Sequence, residues 1–220
     1  MSGSAGATAQ HPESDPMSTV ALVLYVVALV VVFGVRSWLQ RRRTGSTGFR
    51  GISGTPADAG WWGGVLFVVA IVLGVAGPLL AVTDVVVAHP PLAVQVIGLV
   101  LAVAGLLATL MGQTGMGTSW RVGVDPAERT DLVTTGLFGV VRNPVFSAMV
   151  LAQAGVALVV PTWVTLLGLV ALVVAVQLQV RAVEEPYLRA VHGPAFENYA
   201  ARVGRFVPGI GRIPAAARNR

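Results

Sequence analysis

Long apolar runs separated by polar segments dominate the chain, and their lengths predict membrane helices. One run lies within 18–43, two lie within 61–112, and a pair of shorter runs fills 145–180. A bilayer span needs about 20 apolar residues, so the last two runs are near the lower limit. We therefore expect five transmembrane helices, the last two forming a hairpin that is tilted or stops short of the far interface.

The polar segments divide the chain further. Small polar residues fill 1–17, so this stretch is expected to be a disordered tail. The stretch 44–60, rich in Gly, Ser and Thr, is typical of a cytoplasmic surface linker. The region 113–212 contains the hairpin and then a polar tail whose apolar and aromatic residues recur every three to four positions, which predicts amphipathic helices that cap the hairpin. Residues 213–220 are expected to fray.

Arginines occur on only one side of the predicted membrane helices. All 15 basic residues are Arg, and they follow the first apolar run, precede the hairpin or follow it. Because basic residues are retained in the cytoplasm, these segments are predicted to be cytoplasmic and the N-terminus to be outside. A hydrophobic content of 55%, a charged content of 11% and a mean hydropathy of +0.75 also fit an integral membrane protein. We expect an all-α, multi-pass protein of a bacterial plasma membrane.

Residue usage excludes or disfavours several kinds of site. The chain has no Cys, which excludes disulfides, thiolate nucleophiles and Cys-based metal sites, and its three His residues are scattered. We therefore expect no metal. The arginines lie beside apolar runs rather than among aromatic residues, so membrane lipids and not nucleic acid are the expected partners.

Two short polar motifs lie at the two ends of the predicted hairpin. Arg142, Asn143 and Pro144 come immediately before it, and Glu184 and Glu185 come immediately after it. Two antiparallel helices joined by a short turn bring their outer ends together, so both motifs are predicted to lie at one membrane surface. Each motif also has a purely structural interpretation: Pro suits the first turn of a helix, and paired acids at an interface can simply be solvated.

The order and spacing of these motifs resemble a known family. RNPVF, followed about forty residues later by EEPYLRAVHGPAFENYAARVGRFVP, is similar to the C-terminal signature of the isoprenylcysteine carboxyl methyltransferases and their relatives, the phospholipid N-methyltransferases. The resemblance covers about Gly112–Arg212. It implies a membrane-embedded, S-adenosylmethionine-dependent methyltransferase with no Rossmann domain. The cofactor would enter from the cytosol, and a lipophilic small molecule or lipid would enter from the bilayer.

The resemblance also implies particular site residues. Arg142, Asn143, Pro144 and Phe146 match the Arg-His-Pro-x-Tyr of the family, with Asn143 and Phe146 as departures from it, and Glu184 and Glu185 match its paired acids. The expected catalytic residues are Arg142, Glu185 and Arg205. The expected cofactor-binding residues are Gly136, Val140, Asn143, Pro144, Phe146, Glu184, Glu185, His192 and Tyr199.

The methyl acceptor is left open by the residues, with one preference. A carboxylate is already ionised near neutral pH and needs only a positioning cation, for which Arg121, Arg142 and Arg205 are candidates. We therefore favour carboxyl O-methylation. The alternatives are N- or S-methylation of a lipophilic amine or thiol, an NADPH oxidoreductase similar to the sterol reductases, and a non-catalytic membrane subunit.

Overall fold

Helices form most of the described structure. The computed structural model describes residues 15–48, 51–52, 54–86, 90–117 and 131–214. Its main helices are α1 (Pro16–Thr44), α2 (Ala59–Val82), α3 (Leu92–Gly115), α4 (Pro144–Val159), α5 (Trp163–His192) and α6 (Pro194–Arg202). A short 3-10 helix covers Gly136–Gly139. In these residues the β pairing consists of isolated bridges rather than a sheet.

Four of these helices are long and apolar enough to cross a membrane, namely α1, α2, α3 and α5. Together they support an integral membrane protein. Helix α4 has 16 residues, which at about 1.5 Å per residue is shorter than a hydrocarbon core of about 30 Å. The described structure therefore contains four candidate spans and one shorter apolar helix, rather than five helices of spanning length.

Helix α5 continues well beyond the predicted end of the hairpin at residue 180. It runs to His192 through a π-helical turn at Gln179–Glu184. Directly after this turn comes Pro186, which has no N–H and whose ring conflicts with regular helical pairing. A widened turn accommodates such a residue without ending the helix. Glu185 is consequently carried on a continuous helix, which fixes its position relative to the membrane-spanning part.

Small residues allow α3 and α4 to pack closely as antiparallel neighbours. A Cβ added at Gly105 would lie 2.5 Å from the backbone nitrogen of Ala152, and one added at Gly98 would lie 2.6 Å from the carbonyl oxygen of Gly155. Apolar burial gives little drive for helix association in lipid, so close backbone contact of this kind supplies much of the attraction. The C-terminus of α3 therefore meets the N-terminus of α4.

The pairing of α2 with α5 follows the same principle. Gly77 faces Thr165 near the start of α5, and Gly63 faces Leu178 near its apolar end, so these helices are also antiparallel. The turn between α4 and α5 is held by Thr165, whose hydroxyl hydrogen bonds to the carbonyl of Thr162 at 2.8 Å. As a result, the C-termini of α1, α3 and α5 and the N-termini of α2 and α4 share one end of the bundle. The arginines of the described residues lie there, and we call it the arginine end.

Helix α1 is attached to α3 at both ends by polar contacts. At the arginine end, the guanidinium of Arg36 donates to the carbonyl of Gln113 at 2.9 Å, and the Gln113 amide donates to the carbonyl of Val32 at 3.2 Å. Val32 lies in a π-helical turn, Val30–Val35, where regular carbonyl pairing is interrupted. At the other end, the side chains of Asp15 and Gln95 hydrogen bond at 2.7 Å.

The N-terminal boundary of α1 differs slightly from the sequence prediction. The helix begins at Pro16, inside the expected tail 1–17, because the carboxylate of Asp15 accepts a hydrogen bond from the Met17 N–H and Pro16 suits a first turn. Residues 1–14 and 215–220, which hold most of the expected disordered tail and frayed end, lie outside the described residues.

Substitution of Gly105 tests whether close packing of α3 on α4 holds the bundle together. In Gly105→Ala the new methyl group meets backbone atoms that cannot rotate away, so we expect a loss of about 1–3 kcal/mol in stability, measured by thermal unfolding in detergent. Gly34→Ala is the matched control, because a Cβ at Gly34 meets only a Val30 methyl carbon at 4.0 Å. Equal melting temperatures for the two variants would contradict this packing.

Candidate active site

A buried ion cluster lies at the arginine end and contains the three residues expected to be catalytic. Arg142 Nη2 donates to Glu185 Oε1 at 2.8 Å, and Arg205 donates to both carboxylate oxygens of Glu185, from Nε at 2.7 Å and from Nη2 at 2.8 Å. The exposed fractions of the side chains are 3% for Arg142, 10% for Glu185 and 15% for Arg205. Two-point contact between a guanidinium and a carboxylate fixes both groups in orientation as well as distance.

The helical hairpin creates this meeting. Arg142 lies immediately before α4, while Glu185 lies on the last part of α5, which returns to the same end of the bundle. The two sequence motifs therefore come together, as the antiparallel arrangement predicts. Arg205 arrives from a third direction, in the segment 203–213 that follows α6, which we call the C-terminal segment.

Arg142 also binds several backbone carbonyls. Its Nη1 donates to the carbonyls of Ala200, at 2.9 Å, and Val203, and its Nη2 donates to the carbonyl of Gly211 at 3.0 Å. The backbone N–H of Arg142 donates to the carbonyl of Gly204 at 2.8 Å. A buried cation needs this many partners because its loss of hydration is costly. The side chain of Arg142 thus holds the end of α6 and the C-terminal segment against the start of α4.

Asn143 and Ser147 extend this attachment along the C-terminal segment. The backbone N–H and the side-chain Nδ2 of Asn143 each donate to the carbonyl of Arg205 at 3.1 Å. The Ser147 hydroxyl donates to the carbonyl of Phe206 at 2.7 Å. Asn143, which replaces the His of the family pattern, therefore positions the backbone that carries Arg205.

Phe146, the second departure from the family pattern, lies in an apolar cluster. It packs with Phe206 and Met149 against buried residues of α2 and α5, including Leu172. Its ring faces hydrocarbon side chains, where the hydroxyl of a Tyr would need a hydrogen-bond partner. The cluster connects the C-terminal segment to the membrane interior.

Tyr199 connects α6 to the short 3-10 helix. Its hydroxyl donates to the carbonyl of Phe138 at 2.6 Å, and its ring belongs to a buried cluster with Phe196 and Ala200. Burial raises the pKa of Tyr199 to about 12, although the nearby charge of Arg142 lowers it. The hydroxyl is consequently protonated at neutral pH and acts as a donor. This contact holds the segment that contains Gly136 and Val140 beside α6.

The remaining expected residues lie around the cluster. Gly136 has a positive φ of 60° and open space where a Cβ would be, and Val140 is 53% exposed. His192, the last residue of α5, buries its Nε2 atom without a hydrogen-bond partner. Glu184 is half-buried beside Glu185. Arg121 lies outside the described residues.

Within the ion cluster, Arg205 keeps an unpaired donor that is not buried, whereas the unpaired Nε of Arg142 is buried. The hydrogen bonds accepted by Glu185 raise the pKa of Arg205, against the opposite effect of burial, so Arg205 is a permanent cation. Its Nε and Nη2 are used by Glu185, whereas its Nη1 has no hydrogen-bond partner among the described residues. Two arginines against one carboxylate also give the cluster a formal charge of +1. Of the two expected positioning arginines that the structure describes, Arg142 and Arg205, Arg205 is therefore the better placed to bind an anionic group.

The contacts of the C-terminal segment were not anticipated from the sequence. A Cβ at Gly204 would lie 2.2 Å from the carbonyl oxygen of Val207, so the tight turn requires glycine there. The repeated glycines of VGRFVPGIGR are the signal that could have identified this turn. The turn matters because the carbonyls of Gly204 and Gly211 face the N–H groups of Arg142.

Comparison with known families concerns the region that holds Arg142 and Glu185. Residues 93–195 match the family model described as phospholipid methyltransferase. The match covers slightly less than half of the chain, and this part of it is similar to that family. It is a family of membrane methyltransferases that includes the isoprenylcysteine carboxyl methyltransferases. The search of curated proteins and the search of solved structures find no match.

The matched residues cover only part of the cluster. They begin in α3, include Arg142 and Glu185, and end at residue 195, just after α6 begins. Tyr199 and Arg205 lie beyond them. The described residues include no group of three or more His, Asp or Glu side chains that could hold a metal ion.

Removing the charge of Glu185 tests the cohesion of the site. In Glu185→Gln a neutral amide replaces the carboxylate that serves two arginines, and the buried Arg142 loses its counter-charge. We expect a loss of about 3 kcal/mol in stability. Hydrogen exchange, measured by mass spectrometry, should be faster at the N–H of Arg142 and at the N–H of Ile213, which donates to the carbonyl of Ala200 at 3.0 Å and so attaches the C-terminal segment to α6.

The matched control is Glu197→Gln. Glu197 pairs with Arg189 at 3.8 Å, and both side chains are at least one-third exposed, so the expected effect is below about 1 kcal/mol. Unchanged exchange at residue 142 in Glu185→Gln would show that the ion cluster does not hold the C-terminal segment.

Proposed function

We propose that the protein transfers a methyl group from S-adenosylmethionine to the carboxylate of a lipophilic acceptor. The observation that carries this proposal is the accessible guanidinium nitrogen of Arg205, held by Glu185 inside a chain that contains a methyltransferase-family region. A fixed cation beside a membrane interior suits a molecule with an anionic head and an apolar body.

The residues present suit the cofactor. His192 offers a buried Nε2 atom without a partner, and both Gly136 and Gly193 have open space where a side chain would be. A ligand with a carboxylate and heterocyclic nitrogens can use such donors and such close backbone approach. The proposed cofactor-binding set is that expected from the sequence: Gly136, Val140, Asn143, Pro144, Phe146, Glu184, Glu185, His192 and Tyr199. When bound, S-adenosylmethionine supplies an electrophilic methyl group.

The side chains of the cluster contribute orientation rather than proton transfer. Glu185 accepts two hydrogen bonds from Arg205 and so fixes the direction in which the free Nη1 points. Arg142 holds the backbone on either side of Arg205 through the carbonyls of Val203 and Gly211. A carboxylate acceptor is ionised at neutral pH and needs no base, so alignment and exclusion of water are the main tasks of the protein. Arg142 and Glu185 are positioning residues in this mechanism.

The proposed topology places the site in the cytoplasm. In this proposal the arginine end faces the cytoplasm, because basic residues are retained there, and the N-terminus faces outward. Helix α4 is the fifth membrane-inserted helix, and α6 caps the bundle at the cytoplasmic end. The membrane is a bacterial plasma membrane in this proposal. The acceptor reaches Arg205 from the bilayer along the apolar cluster that contains Phe206 and Phe146. Labelling of single cysteines introduced at either end of this Cys-free chain would test the orientation.

N-methylation of an amine-bearing lipid is the second candidate. It is favoured by the family match, whose description names phospholipids as the substrate class, and by Asn143, which resembles the phospholipid methyltransferase branch. An amine acceptor, however, must lose a proton before attack, and a neighbouring guanidinium with a free donor does not assist that step.

The family match also favours a methyltransferase over the oxidoreductase alternative.

The chemical stability of the product distinguishes the two acceptors. Purified protein is incubated with S-adenosylmethionine carrying a labelled methyl group and with a bacterial lipid extract. We expect the label in the lipid fraction to be released as methanol by mild alkali, because a methyl ester hydrolyses and an N-methyl group does not. Arg205→Lys should lower kcat/KM by about tenfold or more, since an ammonium lacks the two-point contact with Glu185.

Arg189→Lys, on the exposed face of α5, is the control for the substitution and should leave kcat/KM unchanged. Label that resists alkali would replace the carboxylate proposal with the amine candidate. A lack of both cofactor binding and labelled lipid would overturn the methyltransferase function as a whole.

A further inference from the structure

A cavity lies within the membrane part of the bundle, away from the ion cluster. Its volume is about 70 Å³, and helices α1 to α5 all contribute to its wall. A single buried water needs roughly 10–15 Å³, so the space admits a larger group. Most of the lining side chains are aliphatic or aromatic hydrocarbons, and the polar ones are those of Tyr25, Thr109 and Gln153.

Two of the three polar side chains have unused hydrogen-bonding capacity. Gln153 is only 2% exposed, and its Nε2 atom has no hydrogen-bond partner. The hydroxyl of Tyr25 packs against the backbone of Gly74 and makes no hydrogen bond to the described residues. The Thr109 hydroxyl, in contrast, donates to the carbonyl of Gly105 at 2.8 Å. A buried amide without a partner costs roughly 1–3 kcal/mol, so its retention indicates a partner supplied from outside the chain.

The cavity is connected to the ion cluster by apolar side chains. Met149 lines the cavity and also packs in the cluster that contains Phe146 and Phe206. Phe206 directly follows Arg205 in the chain. Gln153 comes nine residues after Pro144 on α4, which corresponds to about 14 Å along the helix. A molecule with its head at Arg205 and its chain in the bilayer would therefore pass Phe146 and reach the amide of Gln153.

We propose that Gln153, assisted by Tyr25, is a specificity-determining residue that donates a hydrogen bond to a carbonyl or hydroxyl oxygen within the chain of the acceptor lipid. This inference rests on the proposed function, because it takes the occupant of the cavity to be the molecule that is methylated. The acceptor class is thereby narrowed from any lipophilic acid to a long-chain acid with an oxygen near the middle of its chain. Rotation of the Gln153 amide by half a turn exchanges the positions of its nitrogen and oxygen. The nitrogen can therefore face the cavity and donate to a ligand there.

An ordered water is the competing occupant. A buried water normally makes two to four hydrogen bonds, and the amide of Gln153 with the hydroxyl of Tyr25 could supply two of them. A resident water would satisfy the protein without regard to the lipid. It therefore gives no preference between an oxygenated and a plain acceptor, and the binding experiment separates the two cases.

The test compares two probes that differ in one group. They are a long-chain keto acid with its carbonyl near the middle of the chain and the same acid without the carbonyl. Calorimetry on the detergent-purified full chain, with S-adenosylhomocysteine present, gives Kd for each. We expect the wild type to bind the keto acid roughly three- to tenfold more tightly, the range for one net hydrogen bond. In Gln153→Leu this ratio should fall to one, with the plain acid bound at least as well as by the wild type.

Two further variants keep the outcome decisive. Tyr25→Phe removes only a hydroxyl and should lower the ratio of the two Kd values part of the way toward one. It remains informative if Gln153→Leu fails to fold. Gln177→Leu repeats the substitution on α5, where the side-chain Oε1 of Gln177 accepts an exposed hydrogen bond from Arg181. This variant should keep the wild-type ratio. A ratio of one in the wild type, or a wild-type ratio in both cavity variants, would overturn the inference.

Calorimetry together with the methyl-labelling assay separates this inference from the proposed function. Preference for the keto acid that depends on Gln153, in a protein that methylates no lipid, would overturn the methyltransferase proposal and leave Gln153 as the recognition residue of a binding protein. Methyl transfer to long-chain acids without any such preference would support the proposed function and remove the role of Gln153.

Discussion

The carboxylate of Glu185 is the interaction on which the rest of the site depends. It accepts hydrogen bonds from two arginines that come from different parts of the chain, one before α4 and one after α6. Without it, Arg142 would be a buried cation with carbonyl partners only, and such groups are strongly destabilising. The C-terminal segment, the start of α4 and the end of α5 are therefore joined through one side chain. The two close helix pairs, α3 with α4 and α2 with α5, bring these parts within reach.

The site combines residues from the family-matched region and from beyond it. The matched residues 93–195 provide Arg142 and Glu185, whereas Tyr199 and Arg205 follow them. The first pair builds a rigid base, and Arg205 presents a donor that the base leaves unused. Residues near Arg205 and along the path past Phe146 are where substrate preference is expected to be determined.

Much of the local structure could be predicted from the sequence. Apolar runs located the helices, and Pro144 located the start of α4. The hairpin itself predicted that Arg142 and Glu185 share one end, because antiparallel helices of similar length leave no other arrangement. The continuation of α5 through Pro186 could not be predicted, since a π-helical turn leaves no periodic signal. The bonds from Arg142 to the carbonyls of Ala200 and Gly211 were also out of reach, because they depend on how a distant turn folds back.

A double-mutant cycle on S-adenosylhomocysteine affinity tests most directly whether Arg142 and Glu185 support the cofactor site as one unit. Calorimetry would compare the wild type with Arg142→Gln, Glu185→Gln and the combined variant. If the two residues form one supporting unit, the wild type binds, each single variant loses affinity by about tenfold or more, and the combined variant loses no more than either one. Additive losses, or single variants that bind as tightly as the wild type, would contradict the claim that this ion pair supports a cofactor site.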